Sequence, residues 1–261
     1  MSTQLARSGL RTAQDSVTML DRNVRRTLRS PDTVIMTIVL PVMILLMFVF
    51  VFGGAMDVGD GAYIDYVVPG IILLCASFGA STTAVALSLD LAEGIIDRFR
   101  AMAIARSAVL TGHVAESLIR NLITSGIVIG VAVALGFRPT TDPLRWLGVV
   151  GVLTMFVFAL SWLSAALGLL ARNPEAANGF TFFFMFLPYV SSAFVPTESM
   201  PVWLHRFAEN QPVTPIIETM RGLLMGTPIG NSGLLAVLWC GGIALAGYLA
   251  AGVLFRRRTR T

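Results

Sequence analysis

The chain has 261 residues, 55% of them hydrophobic and 13% charged, with a mean hydropathy of +0.76; soluble domains carry about 25% charged residues, so a soluble globule is excluded. Its 19 arginines, with no lysine, leave a net charge of +4. That is too little for a nucleic-acid partner, and the arginines lie in short groups between apolar runs, where membrane topology accounts for them. Cys75 and Cys240 each sit inside an apolar run, so neither a disulfide framework nor a zinc site can be built from them.

The polar, arginine-rich start of the chain has no short apolar core followed by a small-residue cleavage site, and no cleaved signal peptide is expected. From Asp15 to Pro31, Val17, Leu20, Val24 and Leu28 fall within an arc of about 80° on a helical wheel, while Arg22, Arg25, Arg26 and Arg29 point elsewhere. This pattern predicts an interfacial helix in a cytoplasmic segment 1–33, its apolar face in acyl chains and its arginines among phosphates. Six continuous apolar runs follow, at about 34–52, 66–89, 118–137, 146–171, 176–197 and 234–255. The first, at 1.5 Å per residue, reaches about 28 Å, close to the ~30 Å hydrocarbon core. Pro41 lies within it as a source of a kink. Continuous runs exclude a barrel of short alternating strands.

The fold expected is an all-α, six-span bundle over 34–255 with a short tail at 256–261. With an inside N-terminus, segments 1–33, 90–117, 172–175 and 256–261 hold 14 arginines against four in the outside segments. Both termini are therefore expected in the cytoplasm. Two connections are more than turns. Between the second and third spans, a helix through Glu93 to Arg106 would project Phe99 and Met102 as apolar knobs ringed by Asp97, Arg98, Arg100 and Arg106, a shape that a protein pocket can grip. Outside, Pro201, Pro212 and Pro215 with Asn210-Gln211 divide Ser199–Gly226 into two short segments, Val202–Ala208 and Ile216–Met225. They suit helices that dip partway into the outer leaflet.

The run Glu93-Gly94-Ile95-Ile96-Asp97-Arg98-Phe99-Arg100, followed by Ile104-Ala105-Arg106-Ser107-Ala108-Val109-Leu110-Thr111-Gly112, resembles the cytoplasmic signature of type-2 ABC exporter permeases of the daunorubicin and doxorubicin resistance kind. Val195 to Leu204, and Asn210-Gln211-Pro212-Val213 through Met220-Arg221-Gly222-Leu223-Leu224, resemble that family's second signature. Ala103 stands where the family commonly has a proline, which would fix a bend that alanine does not. The resemblance implies a multi-pass permease subunit in the bacterial cell (inner) membrane. It works with a second permease chain, identical or related, and with a cytoplasmic ABC ATPase that carries ATP and Mg; this chain binds no cofactor. Leu20, Val24 and Leu28 of the interfacial helix, and Glu93, Asp97, Arg98, Phe99, Arg100 and Met102 of a coupling helix, would then meet the ATPase. Pro201, Asn210, Gln211, Pro212 and Arg221 would belong to the exit gate.

Residue chemistry agrees, because a Walker A loop needs a lysine for the nucleotide phosphates and none is present. Catalytic and metal-ligating residues are not assigned. The spans as drawn carry no Asp, Glu or His in their cores, which argues against an ATP-independent, proton-coupled carrier. An intramembrane hydrolase lacks a nucleophile and base at one depth. The cargo implied is a hydrophobic or amphipathic small molecule, with export of a lipid-linked glycan as the alternative. Ser77 and Ser81 on the second span, facing Phe183 and Phe184 on the fifth, form the candidate path. Glu116 and Arg120 are expected to pair locally at the cytoplasmic interface, outside any path, and His113 and His205 to be ordinary interface or loop residues.

Overall fold

Apolar stretches punctuated by Pro, Asn and Gly fold into helices throughout the computed structural model, which describes residues 15–27, 29, 31–54, 62–95 and 106–258; no strand occurs among them. Helix α1 covers 15–27. α2 (Pro31–Leu46) continues as a π-helical turn, Met47–Phe52, beyond Pro41. α3 (Tyr63–Ala92), α4 (Arg106–Ala134), α5 (Pro143–Leu170) and α6 (Pro174–Phe186) follow. Two short outer helices, α7 (Val202–Asn210) and α8 (Val213–Met225), precede α9 (Ser232–Arg258). α3, α4, α5 and α9 are long and apolar enough to cross a membrane, whereas α2 and α6 are shorter.

α3 is central, packing against α2, α4, α5, α6 and α8, while α9 lies along α5 and touches α8. The main core joins Ile71, Ile72, Leu73 and Leu74 of α3 to Ile216, Met220 and Leu224 of α8, all fully buried. A second core, toward the C-terminal end of α3, joins Leu87, Val109, Leu110, Trp162, Leu169 and Phe255. Helices approach closely where glycine removes the side chain, as transmembrane packing favours. A Cβ on Gly168 of α5 would lie 2.5 Å from the Ala84 carbonyl of α3, and one on Gly247 of α9 would lie 2.7 Å from the Leu163 nitrogen of α5. Outward, α9 presents Leu234, Leu238, Leu245, Leu249 and Val253, an exposed apolar stripe that suits lipid and not water.

Two boundaries differ from the sequence expectation. α4 starts at Arg106 and not at 118, because Val109, Leu110 and Val114 are buried in the second core and extend the helix N-terminally. The connection expected from Asp90 to Glu116 therefore shrinks to 93–105. α3 ends where Glu93 caps it and Gly94 takes a left-handed φ of 67°. The fifth apolar run, expected to reach 197, stops as an α-helix at Phe186. Pro188 removes a backbone donor there, and the chain passes into a 3-10 turn, Leu187–Val190.

Candidate functional site

Where α3 ends and α4 begins, α1 lies across both through a buried charge cluster. Asp90, in the last turn of α3, is 0% exposed. Arg22 donates through Nη1 to Oδ2 and through Nη2 to Oδ1, both at 3.1 Å, and Arg26 Nη1 reaches Oδ1 at 2.6 Å. Nε2 of the buried His113, on α4, lies 3.1 Å from Oδ2. A carboxylate removed from water stands only when paired and hydrogen-bonded, and these three side chains supply that. The neighbouring contacts are close as well. Met19 packs where a Cβ on Gly112 would come within 2.6 Å of its own, the Ser16 and Thr111 hydroxyls are 3.0 Å apart, and Thr27 donates to Glu116 Oε1 at 3.0 Å.

The face that α1 buries is thus centred on Met19 and Asn23, with Arg22 and Arg26 turned to Asp90. The expected arrangement, with all four arginines among lipid phosphates, is corrected for these two. Leu20 and Val24 are half-buried, Val17 is exposed, and Leu28 lies outside the described residues. From sequence, Asp90 has no assigned role and His113 is an ordinary interface or loop residue, because both fall in the segment drawn as a loop. The signal was present: the apolar spacing of Val109, Leu110 and Val114 extends α4 back past His113, opposite the end of the antiparallel α3. Of the expected coupling residues, Glu93 is the cap of α3, while Asp97, Arg98, Phe99, Arg100 and Met102 lie outside the described residues.

At the opposite end of the bundle, around α7 and α8, two of the five expected gate residues act as bridges. Arg221 of α8 donates through Nη2 to the carbonyls of Tyr66 (3.2 Å) and Ser192 (2.7 Å), pairs with Glu218, and stacks 3.8 Å above the Tyr66 ring. Gln211 Nε2 donates to the carbonyls of Leu187 (3.0 Å) and Val190 (2.8 Å), in the turn that Pro188 opens. Pro201 and Pro212 start α7 and α8, and Asn210 donates to the Arg206 carbonyl within α7. The Thr214 hydroxyl, donating to the Ala208 carbonyl at 2.5 Å, joins the two helices. A cavity of about 520 Å³, bordered by Tyr66, Ser192, Glu198, Glu218 and Arg221, opens beside them.

Along the candidate path, Ser77 is buried and bonded to the Leu73 carbonyl, whereas Ser81 faces α6, 3.8 Å from the Met185 sulfur. Phe183 and Phe184 fall on α6.

These features, α1 clamped to the ends of α3 and α4 and the paired short helices α7 and α8, lie inside a single region of likeness to known proteins. The sequence model of the ABC-2 type transporter family matches residues 15–225, from α1 through α8. The chain belongs to the ABC-2 type transporter family. It is 30% identical over 198 residues to the daunorubicin resistance ABC transporter permease protein DrrB1 of Streptomyces coeruleorubidus, covering 76% of this chain and 70% of that one. It is 28% identical over 244 residues to the probable doxorubicin resistance ABC transporter permease protein DrrC of Mycobacterium tuberculosis, covering 91% and 86%. This ABC-2 chain is accordingly a multi-pass membrane permease subunit of an ABC exporter, and ATP hydrolysis belongs to a separate ATPase subunit. The resemblance read from the two sequence signatures holds.

Proposed function

We propose that this permease pairs with a second permease chain and a cytoplasmic ATPase to export a hydrophobic or amphipathic molecule of drug size, with ATP and Mg bound on the ATPase. Six spans are read as α2, α3, α4, α5, α6 with its following turn, and α9, with both termini in the cytoplasm of a bacterial cell. The observation that carries the mechanism is the Asp90 cluster. Arg22 and Arg26 of α1 and His113 of α4 meet on one buried carboxylate of α3. The connection 93–105, which holds Phe99, leaves α3 next to that carboxylate and enters α4 at Arg106. A push delivered there by the ATPase moves three helix ends as one body, because separating any of them would bare a buried charge. The arginine and glutamine bridges at the outer end hold α8 and the 187–192 turn against α3, so the outer helices follow the same motion.

Daunorubicin, the drug named for a relative, is the cargo to try first. Inside-out proteoliposomes containing this chain and its ATPase should accumulate daunorubicin when ATP and Mg are supplied. Vesicles with this chain alone should neither hydrolyse ATP nor move the drug. ATPase activity from a preparation shown to contain no other polypeptide, or uptake driven by a pH gradient without ATP, would contradict the proposal.

A further inference from the structure

Arg120 stands at the midpoint of α4, and its guanidinium donates to the Gly79 carbonyl at 3.0 Å and the Thr82 hydroxyl at 2.7 Å, close to the midpoint of α3. As a helix α4 is about 43 Å long against a hydrocarbon core of about 30 Å. Even if all the surplus lies on the cytoplasmic side, Arg120 remains about 8 Å inside the hydrocarbon. α4 begins at Arg106, so Arg120 lies about four turns along it. Glu116, one turn earlier and 8% exposed, lies 3.3 Å from Arg120 and accepts from Thr27 of α1.

An ion pair at that depth persists where it faces protein or a polar cavity. Two cavities meet at this one. The first, of about 130 Å³, is walled by Val24 of α1, Ile38 of α2, and Ile119 and Ile123 of α4. The second, of about 350 Å³, is walled by Ser81, Thr82 and Thr83 of α3 and Asn178 of α6. Thr27, Glu116 and Arg120 border both. The hydroxyl of Thr83, a residue 2% exposed, has no hydrogen-bond partner among the described residues. Thr83 is thus an unsatisfied polar residue in the cavity wall, of the kind a small shift of the side chain can offer to a ligand. Ile119 and Ile123 are 42% and 59% exposed, so the apolar cavity opens sideways, toward lipid.

We infer that Glu116 and Arg120 bind the head of an amphipathic, drug-sized molecule that enters from the cytoplasmic leaflet, its apolar body lying between α2 and α4. The two cavities together fall in the usual range of ligand pockets. The head is hydroxyl-bearing. Glu116 and Arg120 set an acceptor beside a donor, and a hydroxyl both accepts from arginine and donates to glutamate or threonine. The assignment of this ligand as cargo rests on the exporter reading; its binding does not.

The test places the protein in lipid nanodiscs with an octyl glucoside carrying a diazirine on its alkyl chain, and maps labelled residues by mass spectrometry. Saturable labelling of Ile119 and Ile123 is expected, competed by unlabelled octyl glucoside. It should fall about tenfold or more, about 1.4 kcal/mol, in the Glu116→Gln, Arg120→Gln double variant and in Ile123→Trp. The latter fills the groove and leaves the ion pair in place. Labelling at the lipid-facing Phe50 and Leu245 should not change. Labelling of Ile119 that is non-saturable and equal to Phe50, or unchanged in both variants, would overturn the inference. ATP-driven export is assayed separately. Saturable labelling without export contradicts the exporter reading and leaves the site standing, whereas export without saturable labelling contradicts the site alone.

Discussion

Arg221 shows how one side chain closes the outer end of the bundle. Its guanidinium reaches carbonyls on two segments, Tyr66 of α3 and Ser192 after the broken end of α6, while stacking on the Tyr66 ring. Hydrogen bonds to a charged donor are worth roughly 1.5–3 kcal/mol each, and a buried carbonyl left alone is costly. Arg221→Ala should therefore destabilise the protein by about 2–3 kcal/mol, read as a lowered unfolding midpoint in nanodiscs. Arg221→Lys should not restore it, because a point ammonium cannot span both carbonyls while keeping the planar stack. Wild-type stability in the lysine variant would remove the bridge. Resemblance to a signature singled out Arg221 and Gln211, but the bonds that they make were not legible. Both act on carbonyls placed by the interruption at Pro188, and the apolar run through 176–197 conceals that interruption.

Among the elements, α3, α5 and α9 depend on close backbone approach more than on large side chains. Gly247→Val should push α9 off α5 and cost about 1–3 kcal/mol, whereas Gly242→Val on the same helix, where a Cβ meets nothing within 4 Å, should be tolerated. Unfolding midpoints of the two variants compare the sites directly, and an equal effect would mean that the contact is not a packing point. The amphipathic character of α1 was legible from its residue spacing. Its partner was not, since Arg22 and Arg26 look the same in sequence whether they face phosphate or Asp90. For the connection 93–105, Phe99 remains the residue whose chemistry best fits an ATPase groove. Losing a buried interface aromatic costs about 2 kcal/mol or more, about thirtyfold in docking. Phe99→Ala should leave membrane abundance near normal and weaken ATPase co-purification, and unaltered co-purification and export would move the coupling contact to α1.

Over the whole molecule, composition and run length carried the class, and arginine placement gives the orientation proposed. What they could not carry was where helices end outside the hydrocarbon, because packing at the second core and not hydropathy extends α4 to Arg106. The orientation is open to labelling. Single cysteines at Thr12, Arg100 and Thr259 should resist an impermeant thiol reagent in whole cells, and those at Asp60, Asp142 and Glu209 should react. A labelled Arg100 site would invert the topology.

The central claim is that ATPase motion reaches the spans through the Asp90 corner of α1, α3 and α4. Asp90→Asn keeps the shape of the side chain and removes the charge that Arg22, Arg26 and His113 share. The decisive measurement is the amount of daunorubicin moved per ATP hydrolysed in proteoliposomes holding the ATPase with wild-type permease or with Asp90→Asn. Hydrolysis that continues while transport per ATP falls about tenfold, about 1.4 kcal/mol of lost coupling, is the result predicted. An unchanged ratio with the variant folded and ATPase-bound would contradict it.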